Sequence, residues 1–369
     1  MIKILGKWVH RYFSDEEALL LFFLLVIALV VILTLGKALA PVFFSIILAF
    51  LMQGVVQRCS RFMPRNISIL LVFTSFMAAF LAFMLLVMPQ IWRQLVTLLN
   101  EAPRIMSEIQ KVLLLLPERY PELVAEQQIR QLIAIAAAEI GKAWQWALTF
   151  SLHSITNIVA LLIYLILVPI LVFFFMRDGN YLAGSLTAYL PEKRDMMRRI
   201  WTEMDAQIAN YIRGKFIEIL IVGSVSYVVF VFMGLNYAAL LALMVGLSVI
   251  IPYIGAAIVT LPVAGVAFFQ WGWGSEFITL MAAYFVIQAL DGNVLVPILF
   301  SEAVNLHPVS IIVAVLVFGS LWGVLGVFFA IPLATLVKSV VNAWPKAMEH
   351  AHDGQVIDPE TETEAEQEK

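Results

Sequence analysis

The stretch IIPYIGAAIVTLP, residues 250–262, interrupts an apolar segment that is too long for a single membrane crossing. As a helix, the segment 237–269 would be about 50 Å long, whereas the hydrocarbon core of a bilayer is about 30 Å thick. Proline and glycine at its middle free backbone groups from helical hydrogen bonds. Such groups are tolerated in a membrane only inside protein or around a wet cavity. The stretch therefore predicts a broken helix in a protein-lined part of a membrane protein.

A second apolar segment, 309–337, is broken in the same way by FGSLWGVLG at residues 318–326. The two segments show a weak internal repeat with an offset of 70 or 71 residues. Paired interrupted segments of this kind indicate the binding site of a transporter. The matched positions are Leu235 with Leu306, Gly255 with Gly326, and Pro262 with Pro332.

Two topologies fit this final third of the chain. Basic residues at Lys215 and Lys338 lie on the same side, so the chain between them crosses the membrane an even number of times. Four crossings by bent helices satisfy this condition, and so do two crossings plus two re-entrant hairpins. We favour the hairpins, because half of each broken segment is too short to span a bilayer.

Composition identifies the lipid bilayer as the surroundings of most of the chain. Of its 369 residues, 62% are hydrophobic and only 13% are charged, whereas a soluble domain is about one quarter charged. A net charge of −3 without a basic stripe indicates no nucleic-acid partner. The single cysteine, Cys59, excludes an intramolecular disulfide.

The predicted fold is an all-α polytopic membrane protein with about eight membrane segments, a final third of broken or re-entrant helices, and a small helical extramembrane region. A short hairpin around Lys37 is expected to join the first two spans. The positions of lysine and arginine near the span ends place both termini in the cytoplasm. The predicted spans are 18–35, 38–56, 67–88, 151–176, 216–235, 237–269, 277–300 and 309–337.

The same pattern predicts a division into six regions. Within the extracytoplasmic region, 89–150, the apolar faces of amphipathic helices either pack together, lie on the bilayer or contact another subunit. The regions are three membrane helices at 1–88, amphipathic helices at 89–150, a fourth membrane helix at 151–176, a cytoplasmic connector at 177–215, the membrane core and transport pathway at 216–340, and an acidic disordered tail at 341–369.

Asp291, in VIQALDGNVLVP at 286–297, is the main candidate for a pathway residue. It lies near the middle of a predicted span, where an ionised carboxylate costs about 2.5–3.5 kcal/mol on insertion scales. The 122 residues between Lys215 and Lys338 contain no lysine or arginine to neutralise it. Asp291 is therefore either a buried residue satisfied by Asn293 and free backbone N–H groups, or a proton relay, cation relay or substrate contact. Gln288 lies on the same helix face.

Glu218 and Glu302 are the other acidic candidates. Glu218 follows Arg213 and Lys215 and forms either an interfacial ion pair or part of the pathway. Glu302 lies in a loop with His307, where it is either solvated or adds charge at a pathway mouth. No nucleotide-binding motif, metal site or catalytic constellation is identifiable, so no cofactor and no enzymatic activity are expected. The complete candidate set is Asp291, Asn293, Gln288, Glu218, Pro252, Gly255 and Glu302.

Several motifs in order along the chain resemble the autoinducer-2 exporter family, the PerM-like permeases of the bacterial inner membrane. The resemblance implies about eight membrane segments, a homo-oligomer such as a pentamer, and export of small molecules or ions without ATP hydrolysis. The chain departs from the family pattern at Lys215, where relatives usually have glutamine, and at Glu302. The motifs are FFFMRDG at 173–179, YIRGK at 211–215, GLNYAALLALMVGLSVIIPYIGA at 234–256, DGNVLVP at 291–297, VNLHP at 304–308 and GSLWGVLGVFFAIPLA at 319–334.

The leading functional hypothesis is ATP-independent export of a small polar solute, such as an autoinducer-2-like signal, coupled to protons or sodium through Asp291. A sodium/proton antiporter is the first alternative. The second is a non-transporting membrane scaffold organised by residues 89–150.

Overall fold

A computed structural model describes residues 16–119, 154–188, 194–252, 254–300 and 306–343, with a few isolated positions between them. This part of the chain is helical and contains no strand. It has eight helices long and apolar enough to cross a membrane, which confirms the predicted polytopic all-α fold. The helices are α1 Glu16–Cys59, α2 Arg65–Ala82, α3 Met88–Arg119, α4 Ser154–Thr187, α5 Asp195–Phe232, α6 Ala238–Ser248, α7 Ile254–Trp271, α8 Ser275–Leu290, α9 Val296–Phe300, α10 Pro308–Phe328 and α11 Ala330–Ala343. A π turn at Phe83–Val87 joins α2 to α3, and another at Asp291–Leu295 joins α8 to α9.

The two predicted spans on either side of Lys37 are present as 19–36 and 38–59, but no loop separates them, because α1 continues as a helix through Lys37 and Pro41. If straight, it would place Leu21 and Gly54 about 50 Å apart. Both residues nevertheless contact α5, Leu21 in a cluster around Ile200 and Gly54 beside Arg213. Ile200 and Arg213 are only about 20 Å apart along α5. The helix therefore bends strongly instead of ending in a loop, and Pro41 supplies a cause for the bend.

The helix α3 packs against the final third of the chain. The Gln94 side chain accepts a hydrogen bond from the backbone N–H of Leu240 at 2.9 Å. The Tyr237 hydroxyl donates to Glu101 at 2.7 Å, and the Arg104 guanidinium lies 5.6 Å from the Phe269 ring centroid. The beginning of the predicted extracytoplasmic region is thus covered by α6 and α7. Its second amphipathic stretch lies outside the described residues.

Three of the predicted region boundaries fall within continuous helical segments. The π turn carries α2 into α3 across residue 88, α4 continues past residue 176 to Thr187, and α5 passes through Lys215. The division into six regions stays a prediction. With 38 residues, α5 is about 57 Å long, and it packs against α1, α6, α8, α9 and α11.

The first broken segment folds as a helical hairpin, which we call hairpin 1, formed by α6, a tip that begins at 249–252, and α7. Its two ends are adjacent, because the Gln270 side chain accepts from the backbone N–H of Asn236 and donates to the carbonyl of Gly234, both at 2.8 Å. The helix α6 has 11 residues and is about 16 Å long, too short to cross a bilayer. The chain therefore enters and leaves hairpin 1 at the same end.

The second broken segment forms hairpin 2, from α10 and α11. The backbone of Gly323 leaves helical geometry at φ 62° and ψ −139°, a conformation that favours glycine. Beyond this point the chain returns along α10, because Leu306 and Ser310 share a groove with Lys338 and Asn342. The sequence prediction of two interrupted segments is confirmed.

The two hairpins approach each other from opposite ends of α5. Hairpin 1 starts beside Phe230, and its tip contacts Lys215. Hairpin 2 has its open end beside Glu203, which accepts a hydrogen bond from the Ser339 hydroxyl at 3.1 Å. Nearer its tip, the Phe328 ring lies 5.7 Å from the Tyr211 ring. This arrangement agrees with two crossings, by α5 and by α8–α9, plus two opposed hairpins.

Candidate functional site

A buried ion pair lies on α5 where the two hairpins meet. Lys215 and Glu218 are three residues apart, which places both side chains on one face of the helix. The Lys215 ammonium donates to a Glu218 carboxylate oxygen at 2.8 Å, and the two side chains are 5% and 2% exposed. Sequence analysis left Glu218 as either an interfacial ion pair or part of the pathway. The pair exists, but it is buried in the protein.

Lys215 also holds the tip of hairpin 1. Its ammonium donates a second hydrogen bond, at 2.7 Å, to the carbonyl oxygen of Val249, which directly follows α6. The same ammonium lies 5.3 Å from the centroid of the Phe300 ring, within the range of a cation–π interaction. One charged group therefore connects α5, the tip of hairpin 1 and α9.

Asp291 completes what we call the lysine–carboxylate cluster, defined as Lys215, Glu218 and Asp291. It is the first residue of the second π turn. One of its carboxylate oxygens is buried without a hydrogen-bond partner among the described residues. The charge of Lys215 acts on Asp291 and the charge of Asp291 acts on Glu218, while the direct ion pair among the three is that of Lys215 with Glu218. The Lys215 ammonium bonds to Glu218 and not to Asp291, so the Asp291 carboxylate has no direct cation among the described residues.

The cluster can hold one additional positive charge. It contains two carboxylates and one ammonium, so with every group ionised its net charge is −1. Interactions between charges are strong away from water, and a proton or monovalent cation at the unpartnered Asp291 oxygen would neutralise the excess. Within the described ranges, no three His, Cys, Asp or Glu side chains converge as a metal-ion site would require.

The two amides predicted beside Asp291 lie in different surroundings. The Gln288 amide nitrogen is buried and has no hydrogen-bond partner in the described part of the chain. Asn293 is exposed, and its side chain donates to the carbonyl of Ala289 at 2.8 Å. Because Asn293 uses this bond within its own helix, the interpretation that it satisfies Asp291 gains no support. A role of Gln288 or Asn293 in a pathway stays a prediction.

Pro252 and Gly255 form the tip region of hairpin 1. The Pro252 carbonyl accepts from the N–H of Ile254 at 2.7 Å, which closes a tight turn before α7. Gly255 is buried against the carbonyl of Ser248, where a side chain would overlap that oxygen. These residues shape the tip that carries Val249. Glu302 lies outside the described residues, and His307 caps α10 by accepting the N–H of Val309 at 3.3 Å.

Sequence reasoning missed that Lys215 and Asp291, 76 residues apart, belong to one site. It also missed the Val249 carbonyl and the Phe300 ring. The sequence did contain a signal for the ion pair itself, because Lys215 and Glu218 have the three-residue spacing of an ion pair on a helix. Spacing along the chain could not show that Asp291, Val249 and Phe300 lie near this pair.

Opposed hairpins that meet at buried charges near the middle of a long helix define the class of membrane transport proteins. The family model described as "AI-2E family transporter" matches residues 20–346, and the chain belongs to this family.

Its relatives carry the names of transport proteins. The chain is 42% identical over 361 residues to a protein of Escherichia coli strain K12 named as a permease, PerM, covering 96% of this chain and 99% of that one. It is 26% identical to a Bacillus subtilis transport protein, YueF, over 81% of this chain and 82% of the relative. A Mycobacterium tuberculosis transport protein is 27% identical over 82% of both chains. The protein is therefore a multi-pass membrane permease.

Proposed function

We propose that this permease exports a small polar solute, such as an autoinducer-2-like signal, without ATP, and that the lysine–carboxylate cluster couples export to a proton or sodium ion. In this proposal the protein lies in a bacterial inner membrane with both termini in the cytoplasm. The observation that carries it is the double hydrogen bond of Lys215, to Glu218 and to the tip carbonyl of Val249.

The coupling step follows from competition for one ammonium. When Asp291 is ionised and vacant, it attracts Lys215 away from Glu218 and Val249. A proton or sodium ion on Asp291 removes that attraction, and Lys215 then keeps its two hydrogen bonds, to Glu218 and to the tip of hairpin 1. The occupancy of Asp291 thereby controls whether the tip is held. A bistable element whose two states differ in charge contacts is the requirement for a coupled conformational change.

A sodium/proton antiporter is the second candidate. The groups around the cluster favour it, because carboxylate oxygens and the Val249 carbonyl are ligands suited to a hard cation. In that case the exchanged ions themselves are the substrates and no organic solute is needed.

Transport by the purified full-length chain in proteoliposomes tests the proposal. The variant Asp291→Asn keeps the shape of the side chain and removes its charge. We expect it to lose flux driven by a proton or sodium gradient. The matched control is Glu276→Gln, which removes an exposed carboxylate from the first turn of the same helix, α8, and should transport normally.

Three comparisons separate the candidates. Solute efflux that depends on a gradient supports the exporter, whereas sodium movement driven by a pH gradient without solute supports the antiporter. Unchanged flux in Asp291→Asn would refute the coupling role. If the unmodified protein moves neither solute nor sodium, the scaffold alternative replaces both.

Assembly into a homo-oligomer belongs to the same proposal. Apolar side chains on the outer face of hairpin 2 are strongly exposed in the single chain, with Val324 at 76%. Lipid or another subunit would cover this surface. The mass of the detergent-solubilised protein, measured by light scattering, distinguishes a monomer from an oligomer.

A further inference from the structure

A cavity of about 710 Å³ lies between α1, α2 and α5, away from the lysine–carboxylate cluster. Its wall is largely apolar and includes Leu71 and Phe216. Three arginines, Arg58, Arg61 and Arg213, also line it. None of its lining residues is acidic. The cavity therefore has a mainly apolar wall and three arginine side chains whose charge no lining carboxylate neutralises.

Arg213 is the most buried of these cationic groups, since Arg58 and Arg61 are exposed. Its side chain lies against α1 at Gly54, where a Cβ atom would come within 3.5–3.7 Å of the guanidinium end. These distances are ordinary van der Waals contacts, so Arg213 packs directly against α1 at this position. The Nε atom of Arg213 is buried and has no hydrogen-bond partner among the described residues. A buried donor without an acceptor is costly, and a ligand oxygen beside it would offset that cost.

The cavity and the cluster lie on opposite faces of α5. Successive residues of an α-helix are rotated by about 100°, so Arg213, Phe216 and Ile217 share one face. Lys215 and Glu218 point to the other side of the helix, by the same rotation. A ligand in the cavity would therefore be separated from the coupling site by the helix itself.

We infer that this cavity binds an anionic phospholipid, with the phosphate among the three arginines and an acyl chain along the apolar wall. Guanidinium groups match phosphate oxygens with paired hydrogen bonds. The arginine-bearing segment that joins α1 to α2 is short, and basic residues in short loops are typical of the cytoplasmic membrane face, where anionic headgroups lie. Free phosphate would leave the apolar wall uncovered.

Native mass spectrometry of the purified full-length protein tests the inference. The protein is incubated with phosphatidylglycerol, with phosphatidylcholine or with inorganic phosphate, and bound ligand is counted. We expect retention of phosphatidylglycerol only. The double variant Arg58→Gln/Arg61→Gln changes exposed side chains with little risk to folding and should weaken binding about 30-fold. Arg177→Gln, which changes an arginine beside Asp178, is the matched control.

Arg213→Gln provides a second variant, checked for folding by its melting temperature without lipid. It should also lose phosphatidylglycerol. Equal retention of phosphatidylglycerol by the arginine variants and the control would overturn the inference, and so would equal retention of the two lipids. Binding of inorganic phosphate with the same arginine dependence would replace the lipid with a free anion. If the arginine variants dissociate an oligomer instead, the cavity is a contact between subunits.

Discussion

In both hairpins a glycine packs closely against a backbone carbonyl, but different interactions hold the two tips. In hairpin 1, the tip carbonyl of Val249 accepts a hydrogen bond from the buried Lys215 ammonium. In hairpin 2, the corresponding contacts are aromatic. The Trp322 ring lies 4.6 Å from the Phe43 ring, edge to face, and its Nε1 atom lies where a side chain on Gly36 would be. A change of charge at the cluster therefore acts directly on one tip and not on the other.

The aromatic contacts make hairpin 2 the less responsive of the two. Trp322 also stacks on Phe329 at 6.2 Å between ring centroids, and Phe329 packs edge to face on Phe328. Contacts of this type depend on shape and buried area, which do not change with the ionic composition of the solvent. Hairpin 2 thus acts as a fixed surface against which the tip of hairpin 1 can be held or released.

The largest effect is expected when the charged contact of hairpin 1 is removed. Lys215→Met leaves Glu218 buried without its cation and Val249 without its donor. Removing one partner of a buried ion pair typically costs about 3–5 kcal/mol. We expect a loss of this size in the free energy of unfolding, measured by denaturation in a fixed detergent. The tip should also exchange its amide hydrogens faster, while hairpin 2 keeps its protection.

The double variant Lys215→Met/Glu218→Gln supplies the control. Replacing both partners removes the orphaned charge of Glu218, so the part of the lost stability that comes from the ion pair should return, while Asp291 still lacks Lys215. Faster hydrogen exchange at the tip should persist, since the bond to Val249 is still absent. If the double variant is as unstable as the single one, the ion pair is not the source of the effect.

A smaller loss is expected at the glycines that the two hairpins have in common. A side chain on Gly255 would overlap the carbonyl of Ser248, and one on Gly326 would overlap that of Phe318. Overpacking costs about 1–3 kcal/mol, and overlap with backbone places both alanine variants at the upper end. Gly265→Ala is the matched control, because Gly265 lies in α7 and a Cβ there would meet no atom within 4 Å.

Melting temperatures of these three variants test whether the glycine packing contributes equally to the stability of the two hairpins. Similar losses for Gly255→Ala and Gly326→Ala, with little change for Gly265→Ala, would support a common origin of their packing. A large loss in only one hairpin would show that the sequence repeat has no shared structural role.

Local signals in the sequence were sufficient to predict much of this fold. Pro252 and Gly323 mark the two helix breaks because proline lacks an amide hydrogen and glycine adopts positive φ at little cost. The offset of 71 residues between Gly255 and Gly326 identified two positions with the same close approach to a carbonyl. The two spans that meet at Lys37 were predicted, but the helical connection between them was not, because the chain reverses there by a bend and not by a loop.

The charged cluster was only half predictable. Asp291 was identified from the cost of a carboxylate among apolar residues, and that cost depends on the local sequence alone. Its relation to Lys215 depends on how α5 and α8 are rotated and packed, which no local pattern records. The burial of Glu218 was missed for the same reason, since the polar residues before it on α5 suggested a surface position.

The smallest effect is expected at the outer ends of the hairpins, where a side-chain hydroxyl ties each hairpin to a neighbouring helix. Tyr237 at hairpin 1 donates to Glu101 of α3 at 2.7 Å, whereas Ser339 at hairpin 2 donates to Glu203 of α5 at 3.1 Å. Tyr237→Phe should cost about 1 kcal/mol and Ser339→Ala somewhat less, because the shorter bond is the stronger. Both are measured by unfolding in detergent, with hydrogen exchange locating the change. Loosening of the tip of hairpin 1 by Tyr237→Phe would mean that α3, and not only Lys215, controls the tip.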